Sequence, residues 1–327
     1  MKRIIMLTIF SICAILAFVG CENGKIEEMT SGVEQLNIEE QEKEEIVQNI
    51  PIPEVYRYNE SGKIIIVMYH KFAKEEGTDE WCRSFDNFYK DLEYLYKKGY
   101  RSISLTDYIN NDIKVPIGCT PIVLTFDDGS KGQFNLIKND KNELVVNPDS
   151  AVGVMERFYA EYPEFGLNGT FFVNGSGFFS GEGTREERLQ YLINKGFEIG
   201  NHTNSHVNFS KASIDEIQKE IGMVVKNISD LTNGYTVNTL ALPFGITSKE
   251  YADFIKCGEY EGITYENKAI LLVGASPALS PNSDNLNLLR LPRVRARGGN
   301  KEVDCDLYWW IEKMESNPEL KYYRLDN

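Results

Sequence analysis

Two adjacent carboxylates, Asp127 and Asp128, close the run Pro121-Ile122-Val123-Leu124-Thr125-Phe126 and are followed by Gly129. The run reads as a buried strand. An ionised carboxylate at the edge of a core is strongly unfavourable unless it is paired or takes up a proton. The pair therefore suits a metal, a proton-transfer task, or both. The competing reading is an N-cap with a tight turn, since Asp and Gly are also turn residues. A second polar cluster follows the short apolar segment Phe197-Glu198-Ile199: Gly200-Asn201-His202-Thr203-Asn204-Ser205-His206. The chain has three histidines, and two of them stand four residues apart. If the segment takes a helical turn, both imidazoles converge on one ion. One Asp and two His leave a divalent ion with a position open to water, as catalytic zinc sites require.

Thr125-Phe126-Asp127-Asp128-Gly129 and His202-Thr203-Asn204-Ser205-His206 together resemble the first two motifs of the polysaccharide deacetylases, the NodB-like carbohydrate esterase family 4. Gly169-Thr170-Phe171-Phe172-Val173 is similar to the strand between them, and Ala241-Leu242-Pro243-Phe244-Gly245 to the Pro-Tyr-Gly motif that follows. The resemblance runs from about Lys63 to the C-terminus. It implies a distorted (β/α)7-type barrel with parallel strands. Asp128, His202 and His206 would hold Zn2+, with Co2+ or Ni2+ also compatible with the donor set. Asp127 would be the general base toward the attacking water. The backbone N–H of Phe244 would stabilise the oxyanion.

The chain departs from the family pattern twice. Ala241 stands where an Arg normally holds the base. Leu291-Pro292-Arg293-Val294-Arg295-Ala296-Arg297 offers replacements, because period-2 alternation puts its three arginines on one face. Arg293, at the strand start, is the expected partner; the alternative is a solvent-facing basic strand. The general-acid histidine of a C-terminal Leu-x-His is also missing, since no His follows His206. His70 remains, in Val67-Met68-Tyr69-His70. The last strand of a barrel lies beside the first, so an N-terminal strand can fill the slot. This resembles the subgroup of poly-N-acetylglucosamine deacetylases, in which a Tyr-His segment precedes the Asp pair. A histidine titrating near neutrality suits protonation of a leaving amine; a structural His at a strand end is the competing reading.

Strand and helix patterns alternate along the part that must position these residues, as in a parallel sheet, open or closed. Strands are expected at Ile64–Met68, Ile122–Phe126, Thr170–Val173, Phe197–Ile199, Thr239–Leu242, Ala269–Val273 and Pro292–Ala296. Helices are expected at Phe85–Lys98, Val152–Tyr159, Arg185–Asn194, Ser213–Leu231 and Leu307–Met314, with Ser213 and Glu216 as a capping box. The motifs fall at C-terminal strand ends, where barrel loops gather a site. Lys131–Gly166 is a long connection, expected to carry a helix and a substrate-facing loop.

The 327 residues divide into three parts. Residues 1–20 read as a lipoprotein signal, with Lys2-Arg3 ahead of an apolar stretch from Ile4 to Val19. Phe18-Val19-Gly20-Cys21 resembles a lipobox, with Phe off-pattern at its first position. An uncleaved anchor is the alternative, although an apolar stretch of sixteen residues is short of the ~20 a span takes. Residues 21–60 are an acidic tether: positions 22–60 hold eleven Glu against two Lys and one Arg. Such a stretch buries too little apolar surface to fold. Residues 61–327 form the catalytic domain. Four cysteines in it, Cys82, Cys119, Cys257 and Cys305, allow three disulfide pairings or four free thiols. The net charge of −14 argues against nucleic acid as a partner.

The leading expectation is a metal-dependent hydrolase that removes N-acetyl groups from an extracellular or cell-wall glycan containing N-acetylglucosamine. It would be held at the outer face of the cytoplasmic membrane through lipidated Cys21. An O-acetyl esterase acting on xylan is the second reading, and a catalytically inactive glycan-binding lipoprotein the third. Trp81, Phe178, Phe179, Trp309 and Trp310 are candidates for stacking on sugar rings.

Overall fold

Strand formation starts where the sequence is most continuously apolar. Ile65–Tyr69 (β1) is wholly buried, and so are the first eight residues of the nine-residue strand Thr120–Asp128 (β3). The structure, a computed structural model, describes residues 59–325 apart from Ser176, Ser248 and residues 300–302. The expected signal segment, Cys21 and nearly all of the acidic tether lie outside the described residues. Around β1 and β3 the strands Tyr100–Ile103 (β2), Thr170–Val173 (β4), Glu198–Asn201 (β5), Thr239–Ala241 (β6), Ala269–Leu271 (β7) and Val294–Arg295 (β8) complete one sheet. Every pairing in it is parallel, in the order β7-β6-β5-β4-β3-β1-β8, with β2 attached to β3. A parallel bridge between Leu271 and Leu291, on the approach to β8, brings the two ends of the curled sheet together. This is the expected distorted barrel of parallel strands.

The length of β3 accounts for the eighth strand. Thr120–Val123 pair with β2, and Thr125–Asp128 pair with β4. The sequence patterns did not reveal β2, because Tyr100-Arg101-Ser102-Ile103 carries a cation in its middle. Arg101 is nevertheless buried. It donates to the carbonyls of Tyr96 and Tyr100 and lies 4.2 Å from the Tyr96 ring centroid. The expected strands at Thr239–Leu242, Ala269–Val273 and Pro292–Ala296 are shorter in the structure, ending as the chain turns into site loops.

Helices cover the outside of the sheet. Ser84 caps the helix Phe85–Lys97, which ends before Gly99 at φ 79°. Ala151–Glu161 starts at Ser150 and Ile214–Thr232 at Ser213, each capped by its serine hydroxyl. The reciprocal capping box expected at Ser213 occurs instead at Thr184 and Glu187, opening Arg185–Asn194. Against these helices, Phe126 stacks on Phe171 at 4.6 Å and Phe88 meets Tyr69 edge-on at 4.9 Å. Burial of each such ring stabilises the fold by about 1.5–3 kcal/mol. Alternation then sends the other side chains of β3, Thr125 and Asp127, to the opposite face of the sheet. Strand spacing is tight there: a Cβ on Gly200 would come within 2.4 Å of the Phe172 ring. The four cysteines of the domain are free thiols.

Candidate active site

The C-terminal ends of β1, β3 and β5 converge on Asp127, and the segment leading into β8 reaches the same point. Its carboxylate is fully buried and gripped by Arg293, whose Nη1 and Nη2 donate to Oδ1 and Oδ2 at 2.7 Å each. Arg293 enters from just before β8, itself 0% exposed, and is steered by Nε donating to the Leu272 carbonyl. Burial disfavours an ionised Asp127, but the guanidinium prevails and holds its carboxyl well below the usual carboxylate range. Arg295 and Arg297 go elsewhere, pairing with Asp306 and Glu80.

Asp128 follows with φ 83°, a left-handed conformation that turns its side chain out of the strand pattern. Ligand atoms of Asp128, His202 and His206 lie within 4.8 Å of one another. His202 Nε2 is 3.5 Å and His206 Nε2 3.8 Å from Asp128 Oδ1. The histidines do not meet through a helical turn, as their spacing suggested. The segment is an irregular loop with left-handed residues at Thr203 and His206, φ 64° and 58°. Hydrogen bonds hold it in this form. Buried Glu220, from the helix Ile214–Thr232, accepts from the Ser205 N–H and hydroxyl, each at 2.7 Å. Asn174 Nδ2 donates to the His202 and Thr203 carbonyls. Neither residue stood out in the sequence. Glu220 reads as one more polar position in an amphipathic helix, and its task depends on a loop distant in the chain.

These residues suit a cation. His202 Nδ1–H donates to the Ala241 carbonyl at 2.8 Å, which leaves the lone pair on Nε2. That nitrogen is buried with no hydrogen-bond partner among the described residues and faces Asp128. Burial keeps the His202 imidazole neutral, the form that ligates a metal, and pushes the Asp128 carboxyl up. Two imidazoles and one carboxylate match a zinc donor set.

His70 lies on the other side of Asp127, its Nε2 3.8 Å from Oδ2. Trp81 packs over its ring at 4.6 Å. Burial lowers the imidazole to about 4, against the near-neutral value expected of an acid. Phe244 sits in the Pro-Phe-Gly turn with a left-handed backbone, φ 60°, and its half-exposed ring meets His206 edge-on at 4.9 Å. Asp128, Thr203, His206 and Phe244 thus all carry the backbone strain that gathers at functional sites. Of the candidate sugar platforms, Phe178 and Phe179 are core residues, and Trp310 is buried with its indole N–H on the Ala275 carbonyl. The long connection after the Asp pair carries the expected helix, but its first residues fold back beneath His70: a Cβ on Gly132 would come within 2.3 Å of the Phe72 carbonyl oxygen.

A family model described as polysaccharide deacetylase matches residues 114–262. In sequence the chain is similar to the peptidoglycan-N-acetylglucosamine deacetylase PgdA of Listeria monocytogenes, 29% identical over 136 residues. That match covers 41% of this chain and 23% of PgdA, so the chain spans about a quarter of the length of the curated relatives it matches. Among solved structures, a polysaccharide deacetylase from Bacillus cereus is similar with a TM-score of 0.55 at 19% identity, over 78% of this chain and 69% of that one. The Streptococcus pyogenes deacetylase PplD, in complex with acetate, gives 0.51 at 18% identity, over 72% and 93%.

Proposed function

We propose that the chain, whose residues 114–262 match the polysaccharide deacetylase family model, is a metal-dependent hydrolase removing N-acetyl groups from an extracellular glycan containing N-acetylglucosamine. The observation that carries this reading is the ionised Asp127, forked by Arg293 and set between the Asp128-His202-His206 triad and His70. Asp128, His202 and His206 would hold the ion. When bound, a divalent ion supplies Lewis acidity toward an acyl oxygen and lowers the pKa of water. Asp127 accepts a proton from the attacking water as that oxygen bonds to the acetyl carbon. The Phe244 turn lies beside His206, where its backbone N–H would stabilise charge on the acyl oxygen. When the C–N bond breaks, the sugar nitrogen needs a proton and acetate leaves. His70 is the remaining group to give it. Around protein groups alone, burial leaves His70 neutral at neutral pH, so it has to gain that proton during turnover. The nearest source is Asp127, 3.8 Å away, which has just taken one from water.

A glycan-binding protein without catalysis has no use for a buried carboxylate that ligates nothing, and Asp127 is such a group. Acetate release should be measured from peptidoglycan, poly-N-acetylglucosamine, chito-oligosaccharides and acetylated xylan, with and without zinc. Zinc-dependent release from an N-acetylated glycan supports the proposal. Release from xylan alone makes the protein an O-acetyl esterase, and none from any substrate leaves a binding protein.

We also propose that lipidated Cys21 holds the enzyme at the outer face of the cytoplasmic membrane, with residues 22–60 as spacer. A diacylglyceryl group gives the two chains that stable anchoring takes. Cys21→Ser should block processing and lipid labelling; unchanged processing and labelling would refute the attachment.

A further inference from the structure

The parallel ladder between β1 and β3 ends at the pair Tyr69–Phe126. The next residue on each strand is His70 on one and Asp127 on the other, the two groups that the reaction needs at a fixed separation. Beyond the pair Tyr69–Phe126, β1 and β3 are no longer bonded to each other, although Asp127 and Asp128 still pair with β4. Here a single side chain joins them. Gln133 is 0% exposed, and its Nε2 donates to the His70 carbonyl at 2.6 Å and to the Asp127 carbonyl in a second, shorter hydrogen bond.

The chemistry of the amide fits this place. Two carbonyl oxygens converge on one atom, and only the NH2 end carries two donors. The reversed orientation would set three oxygens against one another. The backbone around Gln133 is fixed as well. Its N–H donates to the Ser130 carbonyl and its carbonyl accepts from the Val152 N–H, at the start of the helix Ala151–Glu161. Gly132, just before it, comes so close to Phe72 that a side chain would not fit. The loop after the Asp pair is thereby pressed under the segment bearing His70.

We propose that Gln133 is a positioning residue: through its carboxamide it sets His70 against Asp127 at the barrel mouth. It touches neither substrate nor metal, and acts by holding the His70 backbone against that of Asp127 beyond the end of the β1–β3 ladder. The inference rests on the hydrolase reading for its consequence in turnover, and on the hydrogen bonds alone for its consequence in structure. A displacement of about 1 Å in such a pair costs on the order of a hundredfold in rate.

The test uses Gln133→Met, which keeps the shape without the donors, and Gln133→Glu, which keeps the size but turns acceptors toward two carbonyls. The zinc-loaded full-length protein is assayed on N-acetylated chito-oligosaccharides, and its three histidine side chains are followed by NMR. The expected result is at least a tenfold fall in kcat with KM little changed, zinc still bound stoichiometrically, and His70 ring signals shifted while those of His202 and His206 stay in place. Gln133→Met added to His70→Ala should cost nothing further, because both act through one group. A variant with full kcat, a loss that multiplies with that of His70→Ala, or unmoved His70 signals would overturn the proposal. If the unsubstituted protein releases no acetate while Gln133→Met still moves the His70 signals, the bridge stands and the hydrolase reading falls. Should the Met variant not fold, the same readings on Gln133→Glu decide.

Discussion

Replacing Arg293 with Met should leave Asp127 buried without its cation. In the native protein the Asp127 carboxyl titrates well below its ordinary value, because the bidentate guanidinium outweighs burial. A depressed folded-state pKa contributes stability above the unfolded value, near 3.9, and that contribution is lost as pH falls through the folded value. Without Arg293 burial prevails and pushes the carboxyl above its ordinary value. An ionised Asp127 then opposes folding at neutral pH, and protonation relieves it. Breaking a buried pair by removing one partner costs about 3–5 kcal/mol. Protonation of the His70 or His202 imidazole, 3.8 and 4.0 Å away, can offset part of that charge and places the loss toward the lower end. For a domain of this size each kcal/mol lowers Tm by roughly 2–4 °C, so the fall should be about 10 °C. Denaturant unfolding of both proteins, with chelator present so that only protein charges contribute, should show the gap at pH 7 and a narrower one toward pH 4. A gap below about 1 kcal/mol at pH 7, or one that ignores pH, would refute this account of how Asp127 stays ionised.

Asp127→Asn should keep a full equivalent of zinc and lose about a hundredfold to ten-thousandfold in turnover; near-normal turnover would make Asp127 structural. His70→Ala should keep the metal and lower the rate on amides more than on activated aryl acetates, whose leaving groups need no proton. An equal loss on both would point to a structural role. Glu220→Gln should weaken zinc binding about tenfold to a hundredfold by loosening the His202–His206 loop, as loss of a group supporting metal ligands does; equilibrium dialysis with zinc measures it, and unchanged affinity would mean the loop holds itself.

Much of the site could be read from the chain because its elements are local. The run into Asp127-Asp128 is long enough to identify a buried strand, and the strand end fixes where the carboxylates emerge. Arg293 could be reached by alternation along a short segment, and its guanidinium lies on Asp127. His70 was reached from the adjacency of first and last strands, and β1 does lie between β3 and β8. What escaped depends on partners far away in sequence. Arg101 makes a strand only because carbonyls and the Tyr96 ring receive it. The His202–His206 spacing suggested a helix, but Glu220 and Asn174 pay for a left-handed loop with hydrogen bonds that no local pattern reveals. Gln133 lies in a connection whose length was visible but whose path back under His70 was not. The lowered titration of His70 likewise follows chiefly from burial, which only the assembled fold supplies.

The central claim is that the Asp128-His202-His206 triad and Asp127 together make a hydrolase of acetylated glycans. The most direct measurement is acetate release from N-acetylated chito-oligosaccharides by purified protein that has been stripped with chelator and titrated back with zinc, alongside His206→Ala and Asp127→Asn. The account predicts release that rises with zinc to one equivalent per chain, one free amine for each acetate, none from His206→Ala, and little from Asp127→Asn despite bound zinc. Stoichiometric zinc with no acetate, or release that is the same in stripped and reconstituted protein, would contradict it.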